Sequence, residues 1–254
     1  MEKAKIRLHV EHHLGQGQPL PLNEAQAHYL VSVMRQGVGA RVTVFNGTDG
    51  EWQAEITRAA KRGGDLVCVA QSGPQLSPPD LWLLFAPIKK ARTDFIVEKA
   101  TELGVAAIFP VQTRFTNSER LRQDKLQAHA VEAAEQCGGT YVPMVHDIQN
   151  IWKVLDNWVV TGQSVRQILW ADKSLVGAGE TLEALAERAS TFATGPQPWA
   201  ILIGPEGGFS TTEREKLRAL PFVHPISLGP RILRADTAVC AAVTLWQTAL
   251  GDWA

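Results

Sequence analysis

Residues 201 to 213 read ILIGPEGGFSTTE: an apolar run, then a proline and a carboxylate among three glycines, then a Ser and a Glu three positions apart. The run predicts a buried strand, and Ser210 with Glu213 forms the capping box that starts a helix. Between them the glycines leave the backbone bare for close approach, while Pro205 fixes its own φ and pushes Gly204 towards an extended conformation. Glycine loops at helix N-termini commonly hold phosphate, but Glu206 would repel an anion seated among those amides. No G-x-G-x-x-G fingerprint and no G-x-x-x-x-G-K-[ST] loop occurs in the chain. The loop therefore suits a ligand that is neutral or cationic where it meets Glu206 and is read through peptide groups.

Working outward, SLGPRILRADTA (227 to 238) is a second glycine-containing turn between a strand and a helix, and WADKSL (170 to 175) follows the strand before. If the strands preceding the two glycine turns are neighbours, Leu228 to Leu233 would lie beside Gly204 to Gly208 in one pocket. The same strand-then-helix rhythm runs from residue 81. Apolar runs at 81 to 87, 105 to 111, 167 to 171, 199 to 204 and 224 to 229 alternate with helical stretches near 92 to 103, 120 to 136, 147 to 158, 181 to 192, 211 to 220 and 236 to 249. That pattern predicts an α/β domain with a mostly parallel sheet, whose ligands bind at the carboxyl ends of strands.

Upstream the pattern differs. IRLHV (6 to 10), RVTVFN (41 to 46), EWQAEIT (51 to 57) and DLVCVA (65 to 70) read as short strands, with one helix between the first two capped by Asn23 and Gln26 and striped by Leu30, Val31 and Met34. These elements predict a small β-barrel over 1–72, a Pro- and Ser-rich linker over 73–80, and the α/β domain over 81–254.

The chain has 254 residues, 45% apolar and 20% charged, with formal net charge −1. That balance marks a folded globular protein and provides no general field for attracting nucleic acid, so any RNA must be gripped by local patches. Its three cysteines, Cys68, Cys137 and Cys240, have neither disulfide nor metal-ligand spacing. His9, His12 and His13 lie on a strand-like segment, so no metal site is expected. The charged, alternating N-terminus resembles neither a signal peptide nor a membrane span, which makes cytoplasm the expected compartment.

Several motifs, in order along most of the chain, carry a family resemblance: VMRQGVG and VFNGTDGEWQAEI, then FIVEKATELGV (95 to 105), VEAAEQCGG (131 to 139), GPEGGFS and LGPRILRADTA. Together they resemble the RsmE type of ribosomal RNA uracil-N3 methyltransferase, of the SPOUT superfamily. The resemblance implies a PUA-like β-barrel, a SPOUT domain whose C-terminal chain threads a trefoil knot, S-adenosylmethionine as cofactor, a homodimer, and methylation of a uridine N3 in small-subunit (16S) ribosomal RNA. It maps cofactor binding onto Leu175, Ile203, Gly204, Pro205, Glu206, Gly207, Gly208, Leu228, Gly229, Ile232, Leu233 and Arg234. A sulfonium donor would answer the puzzle of Glu206, since a cation does not object to a nearby carboxylate.

Uracil N3 carries a proton, so transfer to it needs that proton removed and the resulting charge held. Arg234, beside the second loop, is the expected stabiliser of a uracil carbonyl; Glu206 or Asp236 is expected to assist proton loss. Asp236 also sits where a helix N-cap is expected, and relatives usually carry Glu there. Arg7, Arg35, Arg41, Lys89, Lys90, Arg92, Arg114 and Arg231 are candidate phosphate contacts. After EQCG relatives usually continue with two arginines around a small polar residue, where this chain has Gly139, Thr140 and Tyr141. The alternatives are an RNA-binding or ribosome-assembly module without turnover, a SPOUT methyltransferase acting on another RNA, and a nucleotide-dependent α/β enzyme. Glu206 and the missing P-loop lysine count against the last.

Overall fold

A computed structural model describes residues 4–117, 121–158, 166–175 and 198–253. The chain divides into two compact units, Met1–Ser77 with Val131–Val142, and Pro78–Ala130 with Pro143–Ala254.

In the first unit, β-branched and aromatic residues alternate with polar ones and build a five-stranded sheet. Strand β1 (Arg7–His9) pairs parallel with β3 (Arg41–Phe45); β4 (Glu51–Ala60) and β5 (Gly63–Gly73) continue antiparallel, and β2 (Pro19–Leu22) closes the order β1-β3-β4-β5-β2. Register shifts between β4 and β5 add local twist, which wraps the sheet around Leu8, Leu20, Val42, Val44, Ile56 and Leu66. Strand β2 has no counterpart among the expected strands. Its sequence is PLPL, and proline lowers strand propensity, yet at an edge a missing N–H is tolerated while Leu20 and Leu22 turn inward.

The expected capping box forms between Asn23 and Gln26 and starts α1 (Glu24–Ala27). The helix then widens into a π-helical turn over His28–Val33, so the predicted stripe does not hold: Leu30 is buried, whereas Met34 is 37% exposed. With i→i+5 bonding, a residue four positions on no longer shares a face.

The second unit follows the strand–helix rhythm. Strands β6 (Leu81–Phe85), β7 (Ala107–Gln112), β8 (Met144–Val145), β10 (Gln167–Ala171), β11 (Trp199–Ile203) and β12 (Val223–Ile226) form a parallel sheet in the order β12-β10-β11-β6-β7-β8, and β9 (Gln149–Asn150) pairs with β7. Near-continuous apolar sequence is what a sheet covered on both faces requires; all five residues of β11 are buried.

Helices α2 (Lys90–Glu102), α4 (Ile151–Asp156), α5 (Thr211–Arg218) and α6 (Ala235–Leu250) lie close to their expected spans, with α4 shorter, and α3 (Gln123–Cys137) spans both units. Helix α6 buries Ala235, Ala238, Val239, Ala242, Val243 and Trp246 at helical spacing; beside them the buried Gln247 donates to the Leu103 carbonyl at 2.7 Å. The helix expected over 181 to 192 lies outside the described residues. So does part of the chain path, 176–197, on which the expected trefoil threading depends.

Candidate functional site

Strands β12, β10 and β11 are adjacent and parallel, so their carboxyl ends open on one edge. The strands before the two glycine turns, β11 and β12, are not direct neighbours, because β10 runs between them. The turns nevertheless meet, and the end of β10 becomes the third wall. The resulting cavity has a volume of about 240 Å³.

Of the residues mapped to cofactor binding, Ile203, Gly204, Pro205, Glu206, Gly208, Leu228, Gly229, Ile232, Leu233 and Arg234 line this cavity. Gly207 and Leu175 do not. Leu175 lies at the end of a short 3₁₀ turn, Lys173–Leu175, and the wall is made instead by Ala171, Asp172 and Lys173. The WADKSL stretch named from the sequence does contribute to the wall, through residues other than Leu175. Sequence reasoning missed Phe209 and Arg214 altogether, which also line the cavity.

The loop after β11 is held in one shape by short-range chemistry. The Gly208 N–H donates to the Pro205 carbonyl at 2.7 Å, and Gly208 sits at φ +72°, a conformation that disfavours any side chain. A methyl group on Gly204 would stand 2.7 Å from the Phe209 ring, so the bare backbone there is a packing requirement. Lys173, on the cavity wall, reaches the same loop, its Nζ donating to the Gly207 carbonyl at 2.8 Å.

The predicted capping box closes the loop: Ser210 Oγ accepts from the Glu213 N–H at 3.3 Å, and Glu213 Oε2 accepts from the Ser210 N–H at 2.8 Å. The other oxygen of the buried Glu213 accepts from the Arg114 N–H at 2.8 Å, tying a segment after β7 to the same loop. On the β10 side, buried Asp172 accepts from Arg218 Nη2 at 2.8 Å and from the Ser174 N–H at 3.0 Å.

The candidate carboxylates are linked by an arginine expected elsewhere. Arg92, a candidate phosphate contact, places Nη1 3.7 Å from Glu206 Oε1 and Nε 3.7 Å from Asp236 Oδ2. Asp236 is not the N-cap of α6; Arg234 occupies that position, with extended backbone and no side-chain cap bond. Asp236 lies inside the first turn and does not line the cavity, whereas Glu206 and Arg234 do. Arg234 is exposed and forms no ion pair among the described residues. Burial pushes the thiol pKa of Cys240, one turn further along α6, up from its ordinary value.

The remaining candidate cations divide. Arg231 lines the cavity, and Arg114 is exposed beside Phe115, whose Cβ would stand 3.0 Å from a methyl on Gly207. Lys89 and Lys90 are exposed at the start of α2, Lys90 pairing with Asp94 at 3.0 Å. In the first unit Arg35 is exposed at φ 53°, and Arg41 pairs with Glu55 at 2.9 Å.

Arg7 is a correction. Its side chain is 14% exposed, paired with Glu51, bonded to the Gly139 carbonyl at 2.6 Å and set over the Phe45 ring, so its charge is spent inside the unit. The segment where arginines were expected is likewise occupied: Gly139 receives Arg7, and buried Thr140 accepts from the Leu76 N–H at 2.9 Å.

A family model described as an RNA methyltransferase domain matches residues 75–247, and one described as an RNA methyltransferase PUA domain matches residues 22–67. A ribosomal RNA small subunit methyltransferase E of Buchnera aphidicola subsp. Schizaphis graminum is 29% identical over 259 residues, covering 99% of this chain and 99% of that relative. Among solved structures, a putative methyltransferase from Legionella pneumophila in complex with the bound cofactor SAM superposes with TM-score 0.80 at 28% identity, covering 98% of this chain and 99% of that one. A ribosomal RNA small subunit methyltransferase E from Neisseria gonorrhoeae bound to S-adenosyl methionine superposes with TM-score 0.81 at 25% identity, with coverage of 98% and 99%.

Proposed function

This chain belongs to the RNA methyltransferase family, and on that premise we propose that it transfers the methyl group of S-adenosylmethionine to N3 of a specific uridine in small-subunit (16S) ribosomal RNA. The observation that carries the reading is the cavity where the GPEGG and LGPRILR turns meet at the ends of three adjacent parallel strands. Its residues fit the donor. An apolar wall of Ile203, Phe209, Ile226 and Leu228 beside the backbone of the two glycine turns suits a purine read by peptide groups, and Glu206 tolerates a neighbouring cation.

When bound, S-adenosylmethionine supplies a methyl group activated by its sulfonium. The chain's own residues do the rest. The two loops hold the nucleoside and fix the direction from which the uracil approaches; such positioning is worth up to about 7–11 kcal/mol. Arg234, which forms no ion pair among the described residues, stabilises the negative charge that develops on a uracil carbonyl as the N3 proton leaves. Glu206 takes that proton, a role supported by its place in the cavity wall, and contributes about 10²–10⁴-fold. Arg92 bridges Glu206 and Asp236 and orients both.

Exposed Arg35, Arg41, Lys89, Lys90, Arg114 and Arg231 are the proposed phosphate grips, which orient the RNA without reading its sequence. A homodimer, implied by the resemblance, and a cytoplasmic location, expected from the charged N-terminal sequence, belong to the same proposal. Among the described residues no helix is long and apolar enough to cross a membrane.

Mass spectrometry of ribosomal RNA from cells with and without the gene tests the reaction. One uridine of 16S RNA is expected to lose an N3-methyl group when the gene is deleted and regain it on complementation. An unchanged modification profile would refute the assignment.

A further inference from the structure

Arg214 lies one turn into α5, with its side chain on the wall of the cavity. Its Nε is buried and has no hydrogen-bond partner, and its guanidinium makes no ion pair among the described residues. Of the other cations lining the cavity, Lys173 spends its Nζ on the Gly207 carbonyl at 2.8 Å, and Arg231 and Arg234 belong to the 227–238 turn, where both are exposed to solvent.

A buried guanidinium donor facing no acceptor is costly, and the cost is relieved by an acceptor delivered with the ligand. An anionic acceptor relieves it most, because charge-assisted bonds are the strong ones and Arg presents a fork suited to carboxylate. S-adenosylmethionine has one anionic group, the carboxylate of its amino-acid end; its ammonium and sulfonium would be repelled. We propose that Arg214 receives the carboxylate of S-adenosylmethionine, fixing the amino-acid end against the β10–α5 wall. The inference rests on the cofactor reading above.

The test is titration calorimetry of the full chain with two stable probes, S-adenosylhomocysteine and 5′-methylthioadenosine, which share the nucleoside thioether but differ in the amino-acid end. The wild type is expected to bind both, the first more tightly. Arg214→Ala, and Arg214→Met to keep the packing of the stem, should weaken S-adenosylhomocysteine roughly 10- to 100-fold, the range of one charge-assisted bond. Binding of 5′-methylthioadenosine should change little, which also reports an intact pocket. Equal losses for the two probes in both variants, or unchanged affinity for S-adenosylhomocysteine, would overturn the role of Arg214. A wild type that binds neither probe would instead bring down the cofactor reading, and this inference with it.

Discussion

Replacing Arg234 by alanine is expected to lower single-turnover methyl transfer by about 10²–10³-fold, the usual effect of deleting one charge-stabilising donor from an active site, while cofactor affinity stays close to that of the wild type. The separation follows from where the residue stands. Arg234 is the extended N-cap residue of α6; its carbonyl accepts the Ala238 N–H at 2.7 Å, a bond that alanine keeps. Its side chain caps nothing and makes no ion pair among the described residues, so truncation leaves the fold and the neighbouring loop unchanged. What disappears is the positive charge beside the reacting base. Transfer rates near wild type would remove Arg234 from the chemistry, and a parallel collapse of cofactor affinity would make it a binding residue only.

Gly208→Val is expected to weaken S-adenosylmethionine binding by one to two orders of magnitude. Two costs add at this position. A β-branched residue at φ +72° is strained by roughly 1–3 kcal/mol, and its Cβ would stand 2.5 Å from Lys173 Cε. Relief requires either that the loop leave its binding conformation or that Lys173 release the Gly207 carbonyl. Affinity falls with the fraction of molecules whose loop remains competent, and each 1.4 kcal/mol of strain lowers that fraction about tenfold. The helix that follows is secured by the Ser210–Glu213 capping box, so the loss should register in calorimetry more than in thermal unfolding. Unaltered affinity would mean that the loop does not need the shape that this glycine permits.

Much of this architecture was legible because its signals are local. Capping boxes at Asn23 and Ser210, the buried apolar runs and the glycine turns depend on residues a few positions apart, and they appear where the pattern puts them. Long-range pairing is another matter. Nothing in the sequence says that β10 slips between β11 and β12, because strand order is set by crossovers and not by composition. That placement brings Asp172 and Lys173 into the wall and leaves Leu175 out.

Side-chain roles were the least legible. Arg7 and Arg92 look like surface cations in the sequence, yet one pairs with Glu51 inside the first unit and the other reaches both candidate carboxylates. An arginine's partner is chosen in three dimensions. Arg214 escaped notice for the same reason, since only the fold shows its Nε buried at the cavity wall without an acceptor.

A crystal structure of the chain grown with saturating S-adenosylmethionine tests the central idea most directly. The donor should lie between the 204–208 and 228–233 turns, its adenine meeting main-chain N–H and C=O groups and its methyl open towards Arg234. Donor density anywhere else, or a well-ordered chain that leaves this cavity without it, would contradict the account.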